Sequence, residues 1–276
     1  MHWQTTRFQI DLTRVRVMGI VNVTPDSFSD GGRLASTAAA LRHCEQLRNE
    51  GADILDIGGE SSRPGAQPVP LQQELDRVLP VLEGALKLGC PLSIDTTKPD
   101  VMRAALALGA DIVNDIGALR ADDAAAAVRA HPSCGVCLMH MRGEPGSMQQ
   151  RPAYADVVVE VATFLRGRLH ALGAVGIAAD RIVLDPGIGF GKSAEHNIEL
   201  LKRQPELLAL GRPLLVGWSR KSTLGAITGR AVAERLAASV AAALAAVQYG
   251  ARVIRVHDVA ATTDALKVWR SAGLCQ

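Results

Sequence analysis

Residues 15–57 contain one complete structural unit: the apolar run VRVMGIV (15–21), the polar loop NVTPDSFSDGG (22–32), a segment of helical period at 37–50, and a second apolar run, DILDI (53–57). Runs that are apolar at nearly every position are typical of strands buried on both faces, because a half-exposed strand would alternate polar and apolar residues. Such strands are parallel and are joined by helices that cross back over the sheet. The unit therefore predicts an α/β fold.

The same unit recurs eight times along the 276 residues. The predicted strands are 15–21, 53–57, 91–94, 111–114, 135–139, 181–185, 213–217 and 252–256, and the predicted helices are 37–50, 71–88, 99–108, 121–130, 154–172, 196–203, 231–248 and 259–272. Left-handed caps are predicted at the glycines that follow helical segments, at positions 51, 89, 109, 173 and 250. Eight units in about 250 residues predict a (β/α)8 TIM barrel. A doubly wound open sheet is the structural alternative.

No linker or low-complexity segment divides the chain, so residues 1–276 are predicted to form a single domain. Residues 2–11, HWQTTRFQID, precede the first predicted strand. We expect this short N-terminal extension to form a small hairpin over the bottom of the barrel.

Charge and composition exclude several classes of protein. Thirty Lys and Arg against 28 Asp and Glu leave a formal charge of +2, which does not favour binding to the phosphate backbone of a nucleic acid. Only 3% of the residues are aromatic, which does not favour stacking on nucleic-acid bases. The longest apolar stretch, 236–247, is shorter than the roughly 20 residues that a membrane-spanning helix needs. Charged residues interrupt the first 25 positions, which is unlike a signal peptide. These features predict a cytoplasmic protein.

The five cysteines do not form a disulfide framework in a chain of this size. Cys134 and Cys137 have the C-x-x-C spacing of redox and zinc sites, but they lie on or beside a predicted strand. An offset of three places two side chains on opposite faces of a strand, and no second cysteine pair completes a zinc site. We therefore interpret both as buried thiols.

Polar or charged residues stand at the end of every predicted strand. In chain order they are Asn22, Asp56, Asp95, Asn114 with Asp115, His140, Asp185, the segment from Gly217 through Ser219 to Lys221, and Arg255 with His257. Each alone could be a turn-forming residue, but barrel enzymes build their active sites from the loops that leave these strand ends. Because polar residues follow all eight strands, we predict an active site at the end of the barrel where the strands terminate, which we call the mouth.

The residues at the mouth separate by charge. Basic residues follow the second, seventh and eighth strands, where barrels often bind phosphate, and they comprise Arg63, Arg220, Lys221, Arg255 and His257. They predict a phosphorylated or pyrophosphorylated substrate. Asp95, Asn114 and Asp185 form a second group, the acceptor wall, which suits a flat heterocycle with several N–H donors, such as a pyrimidine-like or pterin ring. Ser222 opens a short predicted helix, where a hydroxyl and free backbone N–H groups could hold a carboxylate.

Two further features allow alternative interpretations. The loop VLDPGIGFGKS resembles a P-loop, although Pro186 stands where that motif requires glycine, so an NTPase is a weak alternative. The loops at 22–32 and 58–68 are rich in Gly, Ser and Pro and could be lids that close over the mouth.

The sequence resembles the bacterial dihydropteroate synthases along nearly its whole length. The segments that carry the resemblance are NVTPDSFSDGG, DIGGESSRPG, SIDTTKP, DIVNDI, CLMHMRG, VLDPGIGFGK, LLVGWSRKS and IRVHD, in that order. The resemblance implies a transferase that joins 6-hydroxymethyl-7,8-dihydropterin diphosphate to 4-aminobenzoate, giving 7,8-dihydropteroate and pyrophosphate in folate biosynthesis. It also implies Mg²⁺ as cofactor, sulfonamides as inhibitors and a homodimer.

The resemblance assigns roles to individual residues. The implied pterin contacts are Asp95, Asn114, Met139, Asp185, Gly217 and Lys221. The implied diphosphate contacts are Asn22, Arg63, Arg255 and His257, and the implied magnesium ligands are Asn22 and, more weakly, Asp30. The implied 4-aminobenzoate contacts are Phe28, Ser62, Pro64, Gly189, Phe190, Lys221 and Ser222. The catalytic set is Asn22, Asp95, Asp185, Lys221 and Arg255.

The implied mechanism is SN1-like: the C–O bond ionises first, and the aniline nitrogen captures a pterin-stabilised cation. Asp95 and Asp185 would favour the cation while magnesium and the arginines stabilise the leaving anion. Ser62 departs from the threonine found in many members: it keeps the hydroxyl group and lacks the methyl group. The alternatives are a pterin-binding methyltransferase barrel and a catalytically inactive pterin-binding homologue.

Overall fold

A closed barrel of eight parallel strands forms the centre of the protein. The computed structural model describes residues 1–24, 32–63, 65–150 and 152–274. The barrel strands are β3 (Arg16–Asn22), β4 (Ile54–Gly58), β5 (Leu92–Asp95), β6 (Ile112–Asp115), β7 (Gly135–Met139), β8 (Ile182–Asp185), β9 (Leu214–Val216) and β10 (Ala251–Val256). Each strand pairs with the next, and β10 returns to pair with β3. The predicted TIM barrel is confirmed, and the open-sheet alternative is wrong because β10 closes the sheet on β3.

Helices connect the strands on the outside of the barrel. They are α1 (Gly32–Asn49), α2 (Leu71–Ala85), α3 (Pro99–Leu108), α4 (Ala124–Arg129), α5 (Val157–Ala174), α6 (Ala194–Lys202), α7 (Gln204–Leu207), α8 (Ser222–Thr228), α9 (Leu236–Gln248) and α10 (Val259–Ser271). Their apolar faces cover the outer face of the strands in one large buried cluster. The single-domain organisation of residues 1–276 stays a prediction.

Several predicted helix boundaries are wrong. The helix predicted at 37–50 begins earlier, at Gly32. The helix predicted at 121–130 begins only at Ala124, because Asp123 adopts a left-handed conformation with φ of 65°. The segment predicted as one helix at 231–248 starts with a 3-10 turn at Val232–Glu234 before α9. Gly173 lies inside α5, and the left-handed residue that follows this helix is Gly176, with φ of 86°. The caps predicted at Gly51, Gly89, Gly109 and Gly250 do have positive φ.

The N-terminal extension closes the bottom of the barrel, as predicted. Strands β1 (His2–Gln4) and β2 (Gln9–Asp11) pair in an antiparallel hairpin. Trp3 is fully buried against barrel-interior residues such as Met18 and Val253, and its indole N–H donates to the carbonyl oxygen of Arg181 at 2.8 Å. The hairpin therefore completes the inner core from below, and the opposite end of the barrel remains for chemistry.

Cys134 and Cys137 are both free and buried. Cys137 belongs to the barrel-interior cluster, whereas Cys134 packs in the outer cluster between strands and helices. The two side chains therefore lie on opposite sides of the barrel wall, which confirms their interpretation as buried thiols. Burial raises the pKa of both thiols. Among the residues described, no helix is long and apolar enough to cross a membrane.

Replacing Trp3 by alanine should lower the free energy of unfolding by about 3–5 kcal/mol, because the change leaves a cavity and an unsatisfied carbonyl in the inner core. Val268→Ala is the matched control, since Val268 is 70% exposed, and it should change stability by less than about 0.5 kcal/mol. Urea denaturation measures both. A loss below about 1 kcal/mol for Trp3→Ala would show that the hairpin contributes little to stability.

Candidate active site

The acceptor wall lies at the C-terminal ends of three barrel strands. Asp95 ends β5, Asp185 ends β8 and Asn114 is the penultimate residue of β6. Strand register places Asp95 beside Asn114 and Asp185 beside Met139. Asn114 and Asp185 are buried. The structure thus places all three predicted acceptors at the C-terminal end of the barrel, with Asp95 and Asn114 on adjacent strands and Asp185 separated from them on β8.

Asp56 is a member of this group that the sequence analysis placed at the mouth without giving it a role. It is fully buried near the end of β4, and its Oδ2 accepts a hydrogen bond from the Asn114 amide at 3.0 Å. The same oxygen accepts from Nε of Arg255 at 2.6 Å, while Oδ1 is buried without a partner among the described residues. By accepting from Nδ2, Asp56 fixes which way the Asn114 amide points.

Arg255 connects the acceptor wall to the basic residues, which the sequence analysis had treated as two separate groups. Besides its bond to Asp56, its Nη2 donates to Oδ2 of Asp95 at 2.6 Å. Burial lowers the pKa of Arg255, but Asp56 and Asp95 outweigh this effect and raise it. A charged guanidinium therefore stands between two carboxylates in the mouth of the barrel.

Asp95 titrates close to neutrality. Burial raises its pKa to about 7; Arg255 opposes the shift, while Asp56 and Asp115 add to it. Without the positive charge of Arg255, the pKa of Asp95 would be higher still. The charge of Asp95 at neutral pH therefore depends on its contact with Arg255.

Asp185 and Lys221 form the opposite side of the mouth. Burial raises the pKa of Asp185, against the effect of the Gly187 N–H, which donates to its Oδ1 at 2.7 Å, and of Lys221. Burial also lowers the pKa of Lys221 to about 8, and Asp185 partly offsets this. Each of the two side chains therefore favours the charged form of the other.

An apolar patch lies beside these charges. Ile116, Met139, Met141 and Met148 form a buried cluster, and Phe190 packs against it. The Nζ of Lys221 lies 4.2 Å from the centroid of the Phe190 ring, a cation–π distance. The mouth therefore combines acceptors at its edge with methionine and aromatic surface, which suits a flat ring that carries N–H donors.

Lys221 reaches the mouth because the chain turns sharply after β9. Arg220 adopts a left-handed conformation with φ of 61°, and its guanidinium makes two hydrogen bonds with Asp258, at 2.6 and 3.1 Å. Arg220 of the predicted basic group is thus engaged by an ion pair. The turn leaves Lys221 at the start of α8, and Ser222 is the first residue of that helix, as predicted.

His257 and Arg63 approach one another above the last strand. Burial, together with the positive charges of Arg220, Arg255 and Arg63, lowers the pKa of His257 to about 3, so this imidazole is neutral at pH 7. Its Nδ1 lies 2.9 Å from Oγ of Ser219, which also accepts from the His257 backbone N–H. In the tautomer in which the Ser219 hydroxyl donates to Nδ1, the ring proton of His257 lies on Nε2. A neutral histidine of this tautomer can donate to a phosphate oxygen.

Several predicted residues lie at the mouth without a distinctive contact. Asn22 ends β3, is partly exposed and has no hydrogen-bond partner for its side chain among the described residues. Ser62 shares a cavity of about 260 Å³ with Asp95 and Ile116. A Cβ at Gly217 would have no neighbour closer than 3.8 Å, so this position keeps space open beside Arg255. Phe28, Asp30 and Pro64 lie outside the described residues.

Lys192, which gave the sequence its likeness to a P-loop, does not face the mouth. Its side chain is buried, and its ammonium donates to the carbonyl oxygens of Gly187 and Phe190 at 2.9 and 3.1 Å. A P-loop lysine must be free to reach a nucleotide phosphate. The NTPase alternative is therefore wrong.

Comparison with known proteins agrees with this site. A family model described as "pterin binding enzyme" matches residues 18–257. The dihydropteroate synthase of Neisseria meningitidis serogroup B is 54% identical, over 99% of this chain and 98% of its own length. The structure of Xanthomonas albilineans dihydropteroate synthase with 4-aminobenzoic acid has a TM-score of 0.93 and 50% identity, covering 99% of both chains. A structure of the same enzyme in complex with 7,8-dihydropteroate has a TM-score of 0.89 and 48% identity, covering 98% of both.

The barrel, its acceptor-rich mouth and the matching family model define a pterin-binding enzyme. Within that class, the chain belongs to the dihydropteroate synthase family. The predicted family and the predicted enzyme class, a transferase of folate biosynthesis, are confirmed.

The contact between Arg255 and Asp95 leads to a prediction about titration. Arg255→Met removes the cation that lowers the pKa of Asp95, so this pKa should rise above about 7 and the carboxyl should be more protonated at pH 7. Carbon-13 NMR of aspartate carboxyls across pH measures the change. Arg270→Met, at an exposed site on α10, is the control. An unchanged titration of Asp95 would mean that the ion pair does not persist in solution.

Proposed function

We propose that this chain joins 6-hydroxymethyl-7,8-dihydropterin diphosphate to 4-aminobenzoate, forming 7,8-dihydropteroate and releasing pyrophosphate. The observation that carries the proposal is the placement of Arg255 between Asp56 and Asp95, next to Asn114. This cluster offers acceptors for the N–H groups of a pterin and a cation for the diphosphate that leaves it. A site that bound only a pterin or only a diphosphate would not need acceptors and a cation within hydrogen-bond distance of each other.

The pterin is held by Asp95, Asn114, Asp185 and Lys221, with Met139 against the face of the ring and Gly217 leaving room for it. Asp185 and Asn114 are buried, so their hydrogen bonds to pterin N–H groups are shielded from bulk water during the reaction. Asp56 sets the orientation of the Asn114 amide. Recognition of the ring therefore depends on groups that are already oriented before the substrate arrives.

The diphosphate is bound by Asn22, Arg63, Arg255 and His257. Arg63 is exposed in the loop after β4 but is close enough to His257 to lower its pKa. Neutral His257 donates from Nε2, whereas the two arginines supply charge. Both kinds of group favour the anion that forms when the C–O bond breaks.

Magnesium fits the same end of the site. The Asn22 side chain is partly exposed and unpaired among the described residues, which leaves its amide oxygen available as a ligand. Mg²⁺ commonly takes one or two protein oxygens and keeps several waters, so a single amide with Asp30 of the same loop is a suitable donor set. No group of three acidic, histidine or cysteine side chains in the described part of the chain forms a metal cluster. Bound magnesium supplies positive charge that neutralises the leaving pyrophosphate.

4-Aminobenzoate is placed between two loops. Gly189, Phe190 and Lys221 form one side, Ser62 lies in the loop after β4, and Ser222 is positioned for the carboxylate. Phe28 and Pro64, which lie outside the described residues, are further contacts that the family resemblance implies. The amine then faces the carbon that loses the diphosphate. Sulfonamides, which carry a similar aniline, are expected to compete for this position.

The reaction proceeds by an SN1-like route in which ionisation precedes attack. Charge separation is favoured on both sides: Asp95 and Asp185 stabilise the positive pterin, and Arg63 and Arg255 stabilise pyrophosphate. Asn22 and Lys221 complete the catalytic set by orienting diphosphate and pterin. The aniline nitrogen captures the cation and then loses its proton. No covalent enzyme intermediate is needed.

The remaining expectations follow from family membership. We infer that the protein acts as a homodimer in the cytoplasm, where its folate precursors are made. The whole chain, residues 1–276, serves as one pterin-binding domain.

Pyrophosphate release tests the function directly. The protein is incubated with the dihydropterin diphosphate and Mg²⁺, with and without 4-aminobenzoate, and the pterin product is identified by mass. Release coupled to 7,8-dihydropteroate is expected. Pterin binding without pteroate formation would contradict the proposal and favour a methyltransferase barrel or an inactive pterin-binding homologue.

Asp185→Asn should weaken pterin binding by about 1–3 kcal/mol, because it removes a charged acceptor while keeping its shape. Calorimetry with a diphosphate-free pterin measures the affinity. Asp264→Asn is the matched control, since Asp264 is exposed on α10 and pairs only with Lys267 among the described residues. Equal affinity in the wild type and Asp185→Asn would refute the role of Asp185.

A further inference from the structure

The loop at residues 186–192, which connects β8 to α6, contains two of the residues proposed to contact 4-aminobenzoate, Gly189 and Phe190. Gly187, Gly189 and Gly191 all have positive φ, between 64° and 81°. A Cβ at Gly187 would overlap the carbonyl oxygen of His140, and one at Gly191 would overlap that of Arg142. The loop therefore packs closely against the segment that follows β7. Two buried side chains also hold it in position relative to the mouth.

Lys192 holds the loop from one side. Its Nζ is within hydrogen-bond distance of three carbonyl oxygens, those of Gly187 at 2.9 Å, Phe190 at 3.1 Å and His140 at 3.3 Å. Nδ1 of His140 is a fourth neighbour, at 2.9 Å. Burial, reinforced by Lys192, lowers the pKa of His140 to about 3, so this ring is neutral and Nδ1 can accept. Burial lowers the pKa of Lys192 to about 7, against the effect of Asp185. In its protonated form the ammonium has three N–H donors, and these acceptors use them all.

Asn197, on α6, holds the loop from the other side. It is 1% exposed, and its Oδ1 accepts from the backbone N–H of Gly189 at 2.9 Å. Its Nδ2 donates to Oγ1 of Thr223 at 2.9 Å, and Thr223 is 2% exposed. Thr223 directly follows Lys221 and Ser222 in the chain. One buried amide thus joins the loop to the start of α8.

We propose that Lys192 and Asn197 are positioning residues that set the spacing between Gly189–Phe190 and Lys221–Ser222. They would thereby fix both sides of the aniline pocket without touching the substrate. The inference rests on the proposed function, because the pocket is the 4-aminobenzoate site assigned there. Substrate cannot reach either side chain directly, since Lys192 is 2% and Asn197 1% exposed.

Lys192 and Asn197, which we call the clamp, should affect the binding of one substrate more than the other. Both residues bond to the loop after β8 or to α8, whereas the pterin acceptors Asp95 and Asn114 lie on β5 and β6. The pterin contacts Asp185 and Lys221 do lie next to these elements, since the Gly187 N–H donates to Oδ1 of Asp185. Loss of the Lys192 or Asn197 hydrogen bonds should therefore raise the KM for 4-aminobenzoate much more than it lowers pterin affinity. A residue that only stabilises the fold would lower the amount of active protein without this selectivity.

Thr223 provides a matched pair of variants. Thr223→Val keeps the size of the side chain but leaves the buried Asn197 amide without its acceptor, and it should raise the KM for 4-aminobenzoate about tenfold with kcat changed less than about twofold. Thr223→Ser keeps the hydroxyl and should behave like the wild type. Pterin affinity, measured by calorimetry, should change far less than this KM in both variants.

Lys192→Met tests the other half of the clamp. It keeps the aliphatic stem but leaves three carbonyls without their donor, and the KM for 4-aminobenzoate should rise at least about tenfold. Because this variant can fail to fold, the Thr223 pair remains the deciding comparison.

The outcomes separate the two proposals. A wild-type protein that makes no dihydropteroate overturns the proposed function. Turnover by the wild type together with an unchanged KM in Thr223→Val, or with pterin affinity falling in parallel, overturns the positioning role alone. A raised KM in Thr223→Val that is absent in Thr223→Ser establishes it.

Discussion

The pairing of the last barrel strand with the first is the constraint on which the mouth depends. Val253–Val256 of β10 lie in register with Arg16–Gly19 of β3, and this pairing carries Arg255 to the side of the barrel that holds β4 and β5. There it bonds to Asp56 and Asp95, which are 199 and 160 residues earlier in the chain. Closure of the sheet therefore places a cation among carboxyl groups that would otherwise repel one another.

In the mouth, burial disfavours each charged side chain, and neighbouring charges of opposite sign offset this effect. Burial raises the pKa of Asp95 and Asp185 and lowers that of Lys221, so each charge in the mouth depends on its neighbours. Groups held in this way need little reorganisation when charge separates in a substrate. Because breaking a buried pair leaves an uncompensated charge, single substitutions here affect stability and binding together.

Much of the fold and part of the site could be predicted from the sequence. Apolar runs and helical periods identified all eight barrel strands, because strands buried on both faces leave a clear pattern. Helix ends were less predictable: Gly173 had the right residue type for a cap, but the chain continues helically to Ala174 and turns at Gly176. Local sequence cannot show which of two nearby glycines takes the left-handed conformation.

The residues that support the site were harder to find. Asp56 was visible at a strand end, but its role depends on Arg255, almost 200 residues away. Asn197 lies on a helix beside apolar residues, and no motif distinguishes it from a solvated asparagine. His257 was predicted from the family resemblance, whereas its neutral state follows from burial and from three nearby arginines. Such properties arise only when distant segments meet.

The hairpin at the bottom of the barrel has a consequence for synthesis on the ribosome. Trp3 is made long before its partners: its indole donates to the carbonyl oxygen of Arg181, which is 178 residues later in the chain, and Val253 of the surrounding core is later still. Until β10 emerges, β3 and β9 each keep an unpaired edge, which is a template for association with other chains. The barrel therefore cannot close, and its inner core cannot be completed, until β10 has been made.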